Sequence, residues 1–385
     1  MTPSARLSAA IEVLERILGG MPAEQALTNW GRASRFAGSG DRNAVRDLVY
    51  DALRCKRSHA AMGGSATARG IILGGVRDRG IAPDSLFTGE GHAPAALTAA
   101  DTAKEPSLAE ALDCPDWLLP RLQAALGADF TAVMQALRHR APVFLRVNTA
   151  KTTLAKAQAA LAEAGVQSKP HALAKTALEV TENARKIQTS QPYLDGLVEL
   201  QDAASQAVVE ALPLVNGQKM LDYCAGGGGK TLAMAARATG PLFAHDADPR
   251  RMRDLPDRAK RAGVAVTVLE NAAKSAPYDV ILTDVPCSGS GSWRRDPQGK
   301  WALSEQRLAE LVQIQAGILD KTAPMLAANG VLAYATCSML TEENEAQIQG
   351  FLARNSQFSC SFMRRFSPLE GADGFFVALL ARQGG

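Results

Sequence analysis

The sequence predicts an α/β protein. Its centre is a doubly wound, Rossmann-like sheet, preceded by an all-α region and a small α+β segment. Three observations carry that reading. From Asp202 onward, apolar runs of strand length alternate with helical patterns, as in successive βαβ units with right-handed crossovers. A glycine-rich turn, Cys224-Ala225-Gly226-Gly227-Gly228-Gly229-Lys230-Thr231, follows directly on the run Lys219–Tyr223. Two further runs, Asp279–Thr283 and Val331–Tyr334, end just before Cys287 and Cys337. In a parallel sheet the carboxyl ends of strands face the ligand crevice, so thiols placed there point to chemistry.

The chain has 385 residues, enough for two domains and a smaller segment. The patterns divide it into a helical region 1–130, an α+β linker 131–200 and the sheet domain 201–385. Leu7, Ile11, Leu14, Ile17 and Leu18 recur at helical spacing until Gly19-Gly20 stops the run. Val45, Leu48, Val49 and Leu53 form one stripe over Asn43–Arg54. The Gly- and Ala-rich stretch from Ala60 to Glu105 predicts short helices and loops, and Trp117-Leu118-Leu119 with Leu122 opens another helical unit. Val143–Asn148 reads as a strand, and Leu154–Ala164 as a helix ended by Gly165. In the last domain, strands are expected at 219–223, 241–245, 264–269, 278–283 and 331–336. Helices are expected at about 203–212, 230–238, 249–262 and 304–327. Ser304 is an N-cap candidate, and Asn329-Gly330 a turn into the next strand. Gly374–Leu380 predicts a final antiparallel strand at the sheet's far side.

Hydrophobic content of 46% is ordinary for a globular chain. No uninterrupted apolar run approaches the roughly 18–20 residues of a membrane span, and the N-terminus has no signal-peptide core, so a cytoplasmic location is expected; the expected state of the chain is a monomer. The six cysteines are scattered without a CxxC pair, which argues against a metal site or a disulfide framework. Cys55, Cys114 and Cys360 read as small buried hydrophobes. The net charge of +3 is uneven. Arg32–Arg57 holds seven basic residues against three acids, Thr131–Leu200 nine against five, and 201–385 nineteen of each sign. The excess outside the sheet domain suits a polyanionic partner; a solvated charged face explains it too.

The glycine loop admits three readings. A P-loop needs a glycine where Cys224 stands. A dinucleotide fingerprint needs a third glycine where Thr231 stands. An adenosyl cofactor fits better: the strand ends at Asp222, the glycines let the backbone approach a ligand, and Asp246 ends the next strand, where an acid binds ribose hydroxyls.

A cysteine thiolate is a strong carbon nucleophile where positive charge or a helix N-terminus lowers its pKa. Cys337 precedes a loop and helix start at Ser338–Asn344. Cys287 precedes a Ser/Gly-rich loop and then Trp293-Arg294-Arg295. Arginines with Trp293 and Trp301 suit phosphates and stacked bases. Taken alone, either cysteine also reads as a buried strand-end thiol.

At these residues the chain resembles the Fmu/Sun-type, RsmB-like RNA cytosine-C5 methyltransferases that act on bacterial 16S rRNA. The resemblance covers about Phe144 to the C-terminus. The family pattern Asp-x-Cys-Ala-Ala-Pro-Gly-Gly-Lys is met at Asp222–Lys230, with Gly226 and Gly227 replacing Ala and Pro. Asp-Ala-Pro-Cys-Ser is met at Asp284–Ser288 with Val285 for Ala, and Ala-Thr-Cys-Ser is unaltered at Ala335–Ser338. Leu145–Asn148, Gln201–Ala203, Lys300-Trp301, Glu342–Asn344 and Asp373–Phe376 also fit. Asp41 through Arg54 resembles part of a NusB-like RNA-binding domain.

The resemblance implies a methyltransferase domain that takes S-adenosylmethionine through Cys224, Ala225, Gly226, Gly227, Gly228, Gly229, Lys230, Asp246 and Asp284. Family members place an Asp after the third strand. Here Ala272 fills that slot, with Asn271 or Glu270 as the substitute. The implied chemistry has Cys337 add to carbon 6 of cytosine and Cys287 assist its release, while Asp284 and Lys230 hold the base. The product is 5-methylcytosine. Small-subunit ribosomal RNA is the implied partner, and the basic excess makes Arg42, Arg46, Arg146 and Arg294 candidate phosphate contacts. A catalytically idle RNA-binding assembly factor of the same fold is the alternative, because the glycine loop is altered and the third-strand Asp is missing.

Overall fold

The computed structural model describes residues 1–383. The chain forms two compact units: Met1–Arg140 with Trp293–Ala302, and Ala141–Ser292 with Leu303 onward. The boundary expected near 130 falls inside the helix Phe130–Ala136, which cannot end there because Val133, Met134 and Leu137 are buried. Among the described residues no helix is long and apolar enough to cross a membrane.

The first unit is all helical. Pro3–Leu18, Ser39–Arg54 and Ala68–Asp78 bury the stripe residues Leu7, Leu14, Val45, Val49 and Leu53 with Ile71 and Leu73. The Gly/Ala-rich segment is more ordered than its composition implies. Helices Lys56–Gly63 and Ala68–Asp78 cross so closely that a Cβ on Gly63 would fall 1.7 Å from the Gly70 carbonyl oxygen. Glycine here serves contact between helices rather than turn formation. The segment Trp293–Ala302 closes the helix Ser39–Arg54: Trp301 Nε1 donates to the Leu53 carbonyl at 2.7 Å and Lys300 Nζ to the Arg54 carbonyl at 3.1 Å. These donors satisfy last-turn carbonyls that a helix leaves unpaired. Burial pushes the Lys300 ammonium down to about 8, with Asp113 and two thiols opposing the shift.

The second unit holds two sheets. The small one comprises β1 (Val143–Val147), β2 (Gln167–Pro170), β3 (Ala177–Glu182) and β4 (Val198–Leu200), in the antiparallel order β2-β3-β1-β4. The large one comprises β5 (Met220–Asp222), β6 (Leu242–Ala244), β7 (Thr267–Val268), β8 (Tyr278–Asp284), β9 (Leu326–Thr336), β10 (Phe358–Phe366) and β11 (Phe375–Arg382). Its order is β10-β11-β9-β8-β5-β6-β7, parallel from β7 to β9. Successive residues of the central strands enter different cores. Val280, Leu282, Ala333 and Val377 pack with Val208 and Met234. Ile281, Leu332, Tyr334 and Phe376 pack with Leu319 and Phe351. Helix-covered faces on both sides are why these strands read as unbroken apolar runs.

Two expectations change. β11 is antiparallel as expected, but it lies between β9 and β10 rather than at the edge. The edge strand β10 is half polar, with Phe362 and Met363 exposed, and has no alternation to betray it. Asn329-Gly330 does not precede its strand; it lies inside β9, where the pairing with β8 is irregular. Ser304 caps the helix Glu305–Thr322, its side chain accepting from the Arg307 amide at 3.1 Å.

Candidate active site

The strand order reverses between β5 and β8, the position at which doubly wound sheets open a crevice at their carboxyl ends. Asp222 ends β5, Asp284 ends β8, and Thr336 ends β9 one residue before Cys337. The glycine loop leaves β5 and turns into the helix Gly229–Arg237. Gly226 and Gly228 take φ of +52° and +82°, a region open to glycine at no steric cost. A Cβ on Gly228 would also fall 2.2 Å from Leu255 Cδ1.

A cavity of about 320 Å³ opens over this turn. Of the residues expected there, Cys224, Ala225, Gly226, Gly227, Gly229, Lys230 and Asp284 line it. Gly228 packs away toward Leu255. Asp246 lies beneath the loop, 5% exposed: its Oδ2 accepts from the Gly226 amide at 2.9 Å, its Oδ1 from the Asp248 amide at 2.9 Å. Arg251 Nη1 also stands 3.0 Å from that Oδ2. Asn271 is not brought to the cavity; its side chain accepts from the Ala273 amide at 3.0 Å and caps a short 3-10 turn.

Lys230 Nζ donates to Asp284 Oδ2 at 2.7 Å and lies 4.9 Å from the Phe375 ring centroid. Burial opposes its charge, but Asp284 more than offsets this and raises the lysine above its ordinary value. Cys287 Sγ and Cys337 Sγ are 3.3 Å apart, both free thiols. The hydrogen bond to Cys337, followed by burial, pushes the Cys287 thiol well up; either sulfur can be the donor of the pair.

What holds the thiols together is Glu343, fully buried on the loop after β9. Its Oε1 accepts from the Ser288 amide at 2.8 Å and Gln315 Nε2 at 2.9 Å. Its Oε2 accepts from the Ser288 and Ser338 hydroxyls, both at 2.5 Å. One carboxylate thereby grips the residue after each cysteine. The two loops are tied again where the Gly291 amide donates to the Cys337 carbonyl at 2.9 Å. Sequence reasoning places Glu343 in a matching motif without a role; its signal is an acid six residues past a strand-end cysteine.

Sequence reasoning notes Gln201 only as part of a matching motif and misses Arg251 and Arg258; all three line the cavity. The two arginines lie on separate elements, Arg251 in the 3-10 turn Pro249–Met252 and Arg258 in the helix Leu255–Ala262. Two candidate phosphate contacts are corrected. Arg146 is 4% exposed; its Nη1 donates at 2.6 Å to both Gln201 Oε1 and the Gly229 carbonyl, and burial draws its guanidinium down to about 10. Arg294 is 5% exposed, so it too is withheld from a polyanion at the surface. Trp293 is likewise buried, and Trp301 caps a helix instead of offering a face for stacking. Arg42 and Arg46 remain near the surface of the helical unit, where Arg46 pairs with Glu24 at 2.6 Å. Cys55 and Cys114 are buried as expected, while Cys360 on the edge strand is only partly so.

A family profile described as "16S rRNA methyltransferase RsmB/F" matches residues 209–381, and a "Methyltr_RsmF/B-like, ferredoxin-like domain" profile matches 114–187. The chain is 34% identical over 285 residues to the ribosomal RNA small subunit methyltransferase B of Citrobacter koseri. It is 37% identical over 287 residues to that of Escherichia coli strain SMS-3-5. Both alignments cover 70% of this chain and 66% of the relative, so the chain spans slightly less than two thirds of their length. Among solved structures, a methyltransferase homolog protein from Pyrococcus horikoshii superposes with a TM-score of 0.62 at 26% identity, covering 70% of this chain and 96% of that one. The crystal structure of PH0851 shares the fold along the whole length, with a TM-score of 0.77 at 23% identity and 99% of each chain covered.

Asp222 yields a pH test. Its carboxyl is buried at the base of the crevice, accepts from Thr231 Oγ1 at 2.7 Å, and is pushed up to about 7, chiefly by burial. A raised folded-state value means that the neutral acid stabilises the fold at low pH. That contribution fades as pH rises from about 4 through 7. Asp222→Asn is expected to remove it. Urea midpoints should favour the variant increasingly between pH 4 and 8, by on the order of a few kcal/mol at the upper end; parallel pH profiles would refute the buried neutral acid.

Proposed function

Because the chain belongs to the RsmB/F methyltransferase family, we propose that it transfers a methyl group from S-adenosylmethionine to carbon 5 of a cytosine in RNA, with 16S rRNA as substrate. The observation that carries this reading is the 3.3 Å approach of Cys287 and Cys337 at the same sheet end as the Lys230–Asp284 pair. The crevice suits the cofactor: about 320 Å³ lies at the small end of ligand cavities, and its floor is bare glycine backbone. Asp246, now paired with Arg251 at 3.0 Å, would be the acceptor for the ribose hydroxyls. When bound, S-adenosylmethionine supplies an electrophilic methyl group on a sulfonium.

Carbon 5 of cytosine is a poor nucleophile, and the chain's own residues remedy that. The Cys337 thiolate adds to carbon 6, and the displaced π pair makes carbon 5 enamine-like. Carbon 5 would take the methyl group, leaving S-adenosylhomocysteine; its proton would pass to water, the freed C–H pair would re-form the 5,6 double bond, and the carbon–sulfur bond would break with its pair returning to Cys337. Asp284, held by Lys230, bonds the polar edge of the base as charge develops. Cys287, kept a thiol, faces the Cys337 sulfur and assists release. The base reaches these groups only when unstacked, which favours a single-stranded or looped target. Arg42 and Arg46 contact phosphates.

Three outcomes test this. Asp246→Ala should weaken S-adenosylmethionine binding by roughly 1–3 kcal/mol in calorimetry. Equal affinity in variant and wild type removes Asp246 from the ribose, and no binding by wild type favours the idle assembly factor. Cys337→Ala should abolish methylation and keep cofactor binding, whereas Cys287→Ala should accumulate a covalent protein–RNA adduct that survives a denaturing gel. An adduct in the double variant, or full activity in Cys337→Ala, overturns the division of labour. RNA affinity should fall linearly in log–log plots against salt, and Arg42→Ala should lower the slope by about 1; an unchanged slope places the phosphates elsewhere.

A further inference from the structure

Four consecutive glycines, Gly226–Gly229, give the turn beneath the cofactor crevice more conformational freedom than any other residues would. Something outside the turn has to hold it. Gly227 differs from its neighbours: its backbone lies outside the left-handed region, and a Cβ there would meet a single group, Arg258 Nη1 at 2.9 Å. That same nitrogen donates to the Gly227 carbonyl. The guanidinium's other nitrogen stands 3.5 Å from Glu199 Oε1. Glu199 is buried on β4, and its second oxygen holds Arg261 Nη2 at 2.8 Å. A chain of charge-assisted contacts therefore runs from the small sheet, through Arg258, to the carbonyl of Gly227, where the guanidinium occupies the place a side chain would take.

We propose that Arg258 is a positioning residue: the Glu199–Arg258–Gly227 chain sets the glycine loop in its ligand-binding shape, supplying order that the loop's own residues lack. The ligand assignment rests on the reading of this crevice as the S-adenosylmethionine site; the ordering of the loop does not. Glycine at 227 is then required by the arginine and not by the backbone.

The test uses full-length Arg258→Ala, Gly227→Ala and the double variant, with S-adenosylhomocysteine as the calorimetric probe and hydrogen–deuterium exchange on the unliganded proteins. Arg258→Ala should raise Kd about tenfold and speed exchange of the Gly228 amide, which donates to the Ala225 carbonyl at 2.8 Å, by a similar factor, leaving the helix Glu305–Thr322 unchanged. Gly227→Ala should weaken binding in the wild-type background, where its methyl displaces the guanidinium. In the Arg258→Ala background the methyl meets open space and narrows the loop's freedom, so it should restore affinity. A residue that only supports stability would not reverse the sign of the Gly227 substitution. Unchanged loop exchange in Arg258→Ala, or an equal effect of Gly227→Ala in both backgrounds, overturns the proposal. Should Arg258→Ala fail to fold, Glu199→Gln and Gly227→Ala alone must still speed loop exchange. If wild type does not bind the probe while exchange responds as expected, the cofactor reading falls and the clamp stands.

Discussion

A single buried carboxylate decides where the two thiols stand. Glu343 accepts from both serines that follow the cysteines, from one of their amides and from Gln315. Hydrogen bonds to a charged acceptor are worth roughly 1.5–3 kcal/mol each, and losing the acceptor would strand several buried donors at once. The anion is therefore tolerated in the interior only with both loops closed around it, and closure brings Cys287 Sγ to 3.3 Å from Cys337 Sγ. Asn344 extends the same lock: its Oδ1 accepts from Thr336 Oγ1 at 2.6 Å, and its Nδ2 donates to the Ser338 carbonyl at 2.9 Å. The thiols are positioned by polar bonds along their own loops, and their sulfur atoms contact each other.

The cofactor crevice is organised by a second constraint, applied from the small sheet. Arg146 on β1 reaches the Gly229 carbonyl, Asn148 reaches the Ala262 carbonyl at 2.9 Å, and Glu199 on β4 orients Arg258 and Arg261. These contacts all meet the glycine loop or the helix Leu255–Ala262 beside it. A subdomain that sequence presents as a linker thus acts as a brace. A loop of bare glycine can approach a ligand closely only if other elements remove its entropy, and the brace does so with side chains too buried to reorient.

Charge in the crevice is arranged so that few ions are left unopposed. Lys230 neutralises Asp284 at 2.7 Å, Arg251 stands against Asp246 at 3.0 Å, and Asp222, with no cation of its own, rises to about 7. Three acids at adjoining strand ends would repel one another if all were ionised and dry. Neutralising one by protonation and pairing the others leaves the site polar without a large net field. Cys287 follows the same logic, since contact with the second sulfur keeps it a thiol.

Much of the sheet was readable from the chain. Apolar runs at 278–283 and 331–336, the glycine turn after Asp222 and the Ser304 cap are local signals, encoded by hydrophobic period and capping chemistry, and they placed Cys287 and Cys337 at strand ends correctly. The cavity-lining part of the glycine loop followed from the same local pattern. Tertiary structure alone decided the rest. Arg146 and Arg294 carry the charge of a phosphate contact, but whether a guanidinium faces water or a carbonyl depends on what packs over it. Trp293–Ala302 joins the helical unit because its donors complete the end of the helix Ser39–Arg54, more than two hundred residues away in sequence. β10 escaped notice because an edge strand need not alternate, and Glu343 and Arg258 because a charged residue in isolation reads as a solvated one. Composition and period determine which elements form; the partner of each polar group is set only when distant segments meet, because burial and hydrogen-bond satisfaction are properties of the assembled core.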